Sequence, residues 1–265
     1  MTEFYDRTYA GFADQLNARI RSEAFGEEIG QNSWLTADEL RRFRDWLGVG
    51  ASSEVLEIAS GSGGPALFMA RETGCRVNGV DLNEAGVAAA NAAAAEQGLS
   101  DRARFVHTDA REPLPFDDAS FDALLCIDSI NHMYDRVRVL DEWRRVLRPG
   151  GRLLFTDPIT VTGMIRREEM VTRSGSMGDF VFTAPGVDEA LLDSAGLEVM
   201  RIEDVTPNMA AVAAAWRGAR ARHADELDRF EGTDENANTQ AFLEVVERLA
   251  SERRLSRLAY LARRP

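Results

Sequence analysis

A short apolar strand that runs directly into a glycine-rich turn is the feature that most constrains this chain. Residues 55–64 read Val-Leu-Glu-Ile-Ala-Ser-Gly-Ser-Gly-Gly, and a second apolar run ends twenty residues after Gly61 in an acidic residue, Asp81. Glycines let a ligand approach the backbone closely, and a carboxylate at that distance can bind the hydroxyl pair of a ribose. The spacing therefore predicts a nucleoside-cofactor site within residues 50–160.

Strands and helices alternate along the same region. Strands are predicted at about 54–59, 76–81, 104–108, 121–127 and 151–156, and helices at 65–73, 84–97 and 136–147. After residue 160 the pattern changes to a helix at 187–195, a strand at 198–205, helices at 209–230 and 237–252, and a last strand at 256–263. Alternation of this kind is typical of an α/β fold with a mostly parallel sheet.

Composition restricts the partners of the chain. The formal net charge of −13 disfavours a broad phosphate-binding surface, and therefore nucleic acid as a substrate. No apolar stretch approaches the roughly 20 residues of a membrane span, and the first residues lack a signal pattern. Cys75 and Cys126 do not have the spacing of metal ligands. We expect a cytoplasmic enzyme without metal or membrane partners, either a monomer or a homodimer.

The glycine turn does not match a dinucleotide site, because Gly61-Ser-Gly63-Gly64-Pro65 lacks the third spaced glycine. Glu57 precedes the turn, within the strand. In this combination the segment resembles the first motif of class I S-adenosylmethionine-dependent methyltransferases, in which an acidic strand residue is followed by a glycine-rich turn. The resemblance implies S-adenosyl-L-methionine as the cofactor. An NAD-linked oxidoreductase and a non-catalytic cofactor-binding protein are the alternatives.

The resemblance extends over residues 54–160. Asp81 lies where the family's ribose-binding acid ends the second strand, and Asp109 lies where the family reads the adenine edge. Leu114-Pro-Phe116, Phe121-Asp122 and Leu147-Arg-Pro-Gly-Gly-Arg152 are similar to the family's approaches to the fourth and fifth strands. The implied cofactor-binding residues are Glu57, Ala59, Gly61, Gly63, Asp81, Leu82, Asp109, Ala110 and Ile127, with Glu57 supporting the turn.

The resemblance also implies an architecture. We expect a Rossmann-like, seven-stranded, mostly parallel sheet whose last strand is antiparallel. Residues 1–50 would form a helical N-terminal lid, 51–160 the cofactor-binding core, and 161–265 the rest of the sheet with helical insertions around the substrate pocket. Within the lid, Thr36 and Glu39 have the spacing of a helix-capping box.

The segment after the fourth strand is expected where cofactor and methyl acceptor meet, at the carboxyl ends of the strands. Asp128 and His132 are four residues apart there, so a helical turn would place both on one side. A carboxylate beside an imidazole fixes its tautomer and leaves a usable base. We predict both as catalytic residues. The alternative is that His132 packs against the cofactor and Asp128 caps the turn.

Two subgroups of the family fit the block Asp128-Ser-Ile-Asn-His-Met. It is similar to phosphoethanolamine and glycine-betaine-type N-methyltransferases and to natural-product O-methyltransferases. The first likeness implies a tyrosine from the N-terminal helix that meets the histidine, for which Tyr9 is the predicted catalytic residue. Tyr5, Trp34 and Asn131 are predicted to bind the substrate. An amine acceptor would use the charge of Asp128, whereas a hydroxyl acceptor would use His132 as base.

Overall fold

Seven strands form one sheet in the computed structural model of the protein, which describes residues 5–6, 8–9, 11–12, 14–174 and 180–265. They are β1 (Glu54–Ile58), β2 (Arg76–Asp81), β3 (Ala103–His107), β4 (Phe121–Cys126), β5 (Leu147–Val161), β6 (Glu198–Asp204) and β7 (Leu255–Arg263). The order across the sheet is β3-β2-β1-β4-β5-β7-β6. β7 is antiparallel to both of its neighbours, and the strands from β3 to β5 pair in parallel. The predicted fold class is confirmed.

Helices cover both faces of this sheet and extend beyond one end of it. They are α1 (Gln15–Phe25), α2 (Ala37–Leu47), α3 (Gly64–Thr73), α4 (Glu84–Glu96), α5 (Arg136–Val146), α6 (Arg167–Ser174), α7 (Val187–Ser194), α8 (Thr206–Arg222), α9 (Ala224–Phe230) and α10 (Thr233–Ser251). Among the described residues, no helix combines the length and apolar character needed to cross a membrane.

Three boundaries differ from the sequence-based expectation. β5 is longer than predicted because, beyond the end of β4, it continues in an antiparallel ladder with β7 as far as Val161. The single helix predicted at 209–230 is two helices, because the carbonyl of His223 begins a new helix by accepting from the Leu227 N–H at 3.0 Å. α6 lies in a segment, between residues 160 and 187, for which no helix was predicted.

Four buried apolar clusters occur among the described residues, and the three larger ones hold these layers together. One packs α2, α3 and α4 on one face of the sheet, and a second packs α5 and α7 on the other. A third lies outside the sheet, where α1, α8 and α10 bury Trp34, Met209 and Phe242 against one another. This third cluster, which we call the helical wall, closes the sheet end at which the candidate site lies.

Candidate active site

A pocket lies at the carboxyl ends of β1, β2 and β4. Most of the residues predicted from sequence line it: Tyr5, Tyr9, Glu57, Ala59, Gly61, Asp81, Leu82, Asp109, Ala110, Ile127, Asp128 and His132. Gly63, Trp34 and Asn131 are not among its lining residues. Gly30, Asn32 and Ser33 line it from the polar loop before Trp34, which the sequence suggested could close over the cofactor. The lining residues that were not predicted are Ser60, Ser62, Pro65, Asn83, Arg111, Ser129 and Met133.

The glycine turn requires its glycines for two different reasons. Gly61 has a φ of +53°, and a Cβ there would lie 2.3 Å from the Tyr9 hydroxyl, on the pocket side. Gly63 has a φ of +79°, and a Cβ there would lie 2.7 Å from the Phe105 ring. Gly61 therefore leaves room at the pocket, whereas Gly63 lets α3 begin close against β3.

Two buried carboxylates fix the shape of this turn. Glu57 Oε2 accepts from the Ala66 N–H at 3.1 Å, in the first turn of α3. Asp81 Oδ2 accepts from the Gly61 N–H and Asp81 Oδ1 from the Asn83 N–H, each at 2.7 Å. Burial raises the pKa of both carboxyl groups, that of Glu57 well above its usual range. Asp81 also faces the pocket, so it can hold the turn and a ligand hydroxyl together.

Asp109 has a more open environment than the other two acids. The Arg111 guanidinium binds it at 2.7 and 2.9 Å, and this contact lowers the pKa of the Asp109 carboxyl. Arg111 also lines the pocket, but the sequence offered no signal for it beyond its place after Asp109. The pair therefore presents both charges at the position expected for the adenine edge.

The N-terminal segment brings two tyrosines over the pocket. The Tyr5 hydroxyl lies 3.1 Å from His132 Nε2, and the Tyr5 and Tyr9 rings stack with centroids 6.2 Å apart. Burial raises the pKa of Tyr5 to about 12 and that of Tyr9 well above its ordinary value. Both phenols are therefore protonated at neutral pH. Tyr5, rather than Tyr9, is the tyrosine that meets the histidine, while Tyr9 covers the glycine turn.

Asp128 lies in a buried network that the sequence did not predict. Its Oδ1 accepts from Arg257 Nε and from Thr156 Oγ1, each at 2.7 Å, and its Oδ2 accepts from the Trp34 N–H at 2.9 Å. Asp128 has a φ of +52° and precedes a 3₁₀ turn at Ile130–His132. The helical spacing expected for Asp128 and His132 is therefore not formed, because Asp128 is outside the turn and left-handed.

Trp34 and Asn131 lie beside the pocket. The Trp34 ring packs in the helical wall, with its centroid 6.1 Å from that of Phe242 and 6.2 Å from that of Trp216. Asn131 is 1% exposed, and its carbonyl accepts from the Val181 N–H at 2.8 Å. The loop that contains Trp34 does reach the pocket, but through Gly30, Asn32 and Ser33.

A buried cation lies on the far side of His132. The Phe180 ring is 4.8 Å from the His132 ring, and the Arg173 guanidinium lies 4.7 Å from the Phe180 centroid. Arg173 is 2% exposed, and its Nε and Nη1 have no hydrogen-bond partner among the described residues. Burial lowers the pKa of Arg173 to about 10, so it remains charged at neutral pH. Residues 160–184 gave no sequence signal for it.

Comparison with known proteins agrees with this site. A family profile described as "Methyltransferase domain" matches residues 56–155. The 27-O-demethylrifamycin SV methyltransferase of Amycolatopsis mediterranei (strain S699) is 34% identical over 240 residues, which cover 86% of this chain and 82% of that protein.

Two solved structures share the fold. Haemonchus contortus phosphoethanolamine N-methyltransferase 2, in complex with phosphomonomethylethanolamine and S-adenosylhomocysteine, has a TM-score of 0.83 at 20% identity, over all of this chain and 60% of that one. The [4+2]-cyclase SpnF has a TM-score of 0.76 at 24% identity, over all of this chain and 94% of that one.

The residues present suit a nucleoside that carries an amino acid. The turn at Gly61 has no space-filling side chain toward the pocket, and Asp81 and Asp109 line the same pocket, where they would bind a ribose and an adenine edge. With the extent of the match to the rifamycin enzyme, these features show that the chain belongs to the S-adenosylmethionine-dependent methyltransferases and uses S-adenosyl-L-methionine as its cofactor.

Proposed function

We propose that this chain methylates a hydroxyl group of a small molecule, with His132 as the proton acceptor. The observation that carries the proposal is the contact between the Tyr5 hydroxyl and His132 Nε2, 3.1 Å apart, on the pocket wall after β4. A methyl group bound to a sulfonium is already activated, so the protein must position the acceptor oxygen and remove its proton. His132 and Tyr5 are placed to remove this proton.

Tyr5 connects the acceptor to the base. The Tyr5 phenol stays protonated because burial raises its pKa to about 12, so it can donate a hydrogen bond to His132 Nε2. When the acceptor hydroxyl gives its proton to Tyr5, the proton of Tyr5 passes to His132 Nε2. Bound S-adenosylmethionine would supply the methyl group to the acceptor oxygen, and its sulfur would keep the electron pair of the broken carbon–sulfur bond. No free phenolate is needed in such a relay.

The charges around the site favour a hydroxyl over an ammonium. Asp128, the carboxylate expected to attract a cation, is ion-paired with Arg257 at 2.7 Å and is 5% exposed. Arg173, beyond Phe180, makes no ion pair among the described residues, and Asp128 and Asp157 act on it only through their longer-range field. A cationic acceptor would be repelled by this guanidinium in a site of low dielectric, whereas a neutral hydroxyl would not. The name of the rifamycin relative also indicates an oxygen acceptor for that enzyme.

The experiment is a screen of matched acceptors for formation of S-adenosylhomocysteine. Each pair has one carbon skeleton and differs only in the nucleophile: benzyl alcohol and benzylamine, phenol and aniline, and larger polycyclic alcohols and their amines. We expect turnover with hydroxyl members and little with amines. Turnover confined to the amines would contradict the proposal and assign an N-methyltransferase.

The cyclase SpnF has this fold at 24% identity, so fold alone does not prescribe methyl transfer. Titration with S-adenosylhomocysteine and, separately, with NAD provides the control. We expect binding of S-adenosylhomocysteine only. Binding of S-adenosylhomocysteine with no turnover of either acceptor class would favour a non-catalytic cofactor-binding protein, and binding of NAD alone would favour an oxidoreductase.

A further inference from the structure

A closed ring of buried polar contacts joins five separate parts of the fold beside the pocket. Arg257 of β7 donates to Asp128 Oδ1 at 2.7 Å and to Glu39 Oε2 at 2.6 Å. Asn208 of α8 donates to Glu39 Oε2 at 3.1 Å and to the Trp34 carbonyl at 2.7 Å. The Trp34 N–H closes the ring on Asp128 Oδ2 at 2.9 Å. We call these five residues the clasp.

The clasp is an unusual use of charge for a protein interior. Arg257 is 0% exposed and Glu39 2%, so one guanidinium shares two carboxylates away from solvent. Buried ion pairs contribute little to net stability because both charges lose their hydration, and their best-attested use is to specify one arrangement over others. Glu39 was predicted to complete a capping box with Thr36, yet its side chain forms this ion pair with Arg257 instead.

The clasp holds the loop of residues 30–34 by the backbone of Trp34. Both the N–H and the carbonyl of that residue are bound, the first to Asp128 and the second to Asn208. At the other end of the loop, Gly30 packs so closely that a Cβ on Gly64 would lie 2.3 Å from the Gly30 carbonyl. Asn32 and Ser33, between these two anchors, line the pocket.

We propose that Arg257, Glu39 and Asn208 are positioning residues that, through Asp128 and Trp34, keep the loop of residues 30–34 closed over the cofactor pocket. The inference rests on the assignment of this pocket to the cofactor, but it does not depend on which acceptor is used. None of the three touches the pocket itself. Their effect would therefore be on exchange of the cofactor product.

The test is Asn208→Ala, with Asn236→Ala as the matched control. Asn236 also lies in the helical layer and also makes two side-chain hydrogen bonds, to Asp228 and Arg220, but away from the pocket. Dissociation of labelled S-adenosylhomocysteine is followed in a chase experiment, together with Tm and hydrogen exchange of a peptide that spans residues 30–36. We expect Asn208→Ala to speed dissociation about tenfold, as loss of one or two hydrogen bonds would, and to raise exchange at Trp34.

The control separates positioning from general destabilisation. Asn236→Ala should lower Tm to a similar degree and leave the dissociation rate and the exchange of residues 30–36 at wild-type values. Equal dissociation rates in the wild type and Asn208→Ala would overturn the proposal, as would equal acceleration in both variants. Hydrogen exchange without ligand tests the clasp even if the wild type does not bind S-adenosylhomocysteine, in which case the cofactor assignment fails separately.

Arg257→Lys provides a second variant in case Arg257→Ala does not fold. Lysine keeps the charge but presents a single ammonium, which cannot bind Asp128 and Glu39 with the fixed geometry of a guanidinium. We expect faster dissociation of S-adenosylhomocysteine from Arg257→Lys than from the wild type. A wild-type rate would show that bridging by Arg257 does not hold the loop.

Discussion

The cofactor side and the acceptor side of the pocket are built in different ways. On the cofactor side, Glu57 binds an N–H nine residues later and Asp81 binds one twenty residues earlier. On the acceptor side, Tyr5 meets a residue 127 positions away, and Asp128 meets one 129 positions away. Backbone groups within one β-α unit shape the first side, whereas side chains from distant elements assemble the second. Mutations on the cofactor side should therefore lower cofactor affinity, and mutations on the acceptor side should lower turnover, each with little effect on the other quantity.

The largest expected effect is on the acceptor side. His132→Ala removes the proposed proton acceptor, so turnover should fall by about 10²–10⁴-fold, the range typical of a lost general base. Affinity for S-adenosylhomocysteine should change by less than about twofold, because the cofactor-side contacts do not involve this residue. Single-turnover rates and calorimetric titration measure the two quantities. Wild-type turnover would reduce His132 to a packing residue.

Asp81→Ala tests the cofactor side. The change removes the acceptor for two backbone N–H groups and for the ribose, so affinity for S-adenosylhomocysteine should fall by about 10²-fold. Asp109→Ala is the comparison variant, and because Asp109 is more exposed its loss should cost about tenfold or less. Calorimetric titration of both variants with S-adenosylhomocysteine gives the ratio of their affinities. Unchanged affinity in Asp81→Ala would remove the ribose assignment.

A smaller effect is expected for the tyrosines. Tyr5→Phe removes the hydroxyl of the proposed relay but leaves His132, which can still take the acceptor proton through one water molecule. Turnover should therefore fall by about tenfold, less than in His132→Ala. Tyr9→Phe keeps the ring over Gly61 and removes a hydroxyl that does not meet the histidine, so it should act mainly on cofactor affinity. Measurement of kcat and KM for both variants separates the effect of Tyr5 on turnover from the effect of Tyr9 on cofactor affinity. Loss of turnover in Tyr9→Phe alone would reverse the assigned roles.

The smallest effect concerns the pH dependence of stability. Arg136 binds Asp157 at 2.8 Å and Asp188 at 2.5 Å beneath the acceptor side, and burial raises the pKa of Asp188 to about 7. The folded protein then binds a proton that an unfolded carboxyl, with a pKa of about 3.9, has released. Stability should therefore decline as pH rises from about 4 to about 7.

Asp188→Asn should flatten that decline, because an amide carries no titrating proton. Urea unfolding at several pH values measures the pH dependence of the free energy of unfolding. Turnover of the variant shows in addition whether the loop of residues 181–183, which Arg136 and Asp157 bind, has shifted. An identical pH profile in the variant would assign the proton to another group.

The same division explains what could be predicted from the sequence. The glycine turn and the positions of Asp81 and Asp109 along the pocket follow from spacing within about sixty residues, whereas the antiparallel last strand was expected only from the family resemblance. Tyr9 was predicted to meet His132, but Tyr5 does so, because the two tyrosines are four residues apart and a helix places both on the same face. Asp128 was expected to serve the acceptor, and nothing local pointed to Arg257 as its partner. Long-range ion pairs leave no periodic signal in a sequence.

The position of β7 has a consequence for how the protein is made. This strand enters between β5 and β6 and supplies the guanidinium that neutralises Asp128. During synthesis on the ribosome, β1 to β4 and their helices emerge first and can pair. Asp128 can form its ion pair with Arg257 only after β7, more than a hundred residues later in the chain, has been translated. Nascent chains should therefore acquire the nucleoside-binding turn early and a finished pocket only when that strand has inserted. If translation stops before β7, the chain should be compact, but the loop of residues 30–34 should not be held over the pocket and should be cleaved readily by proteases.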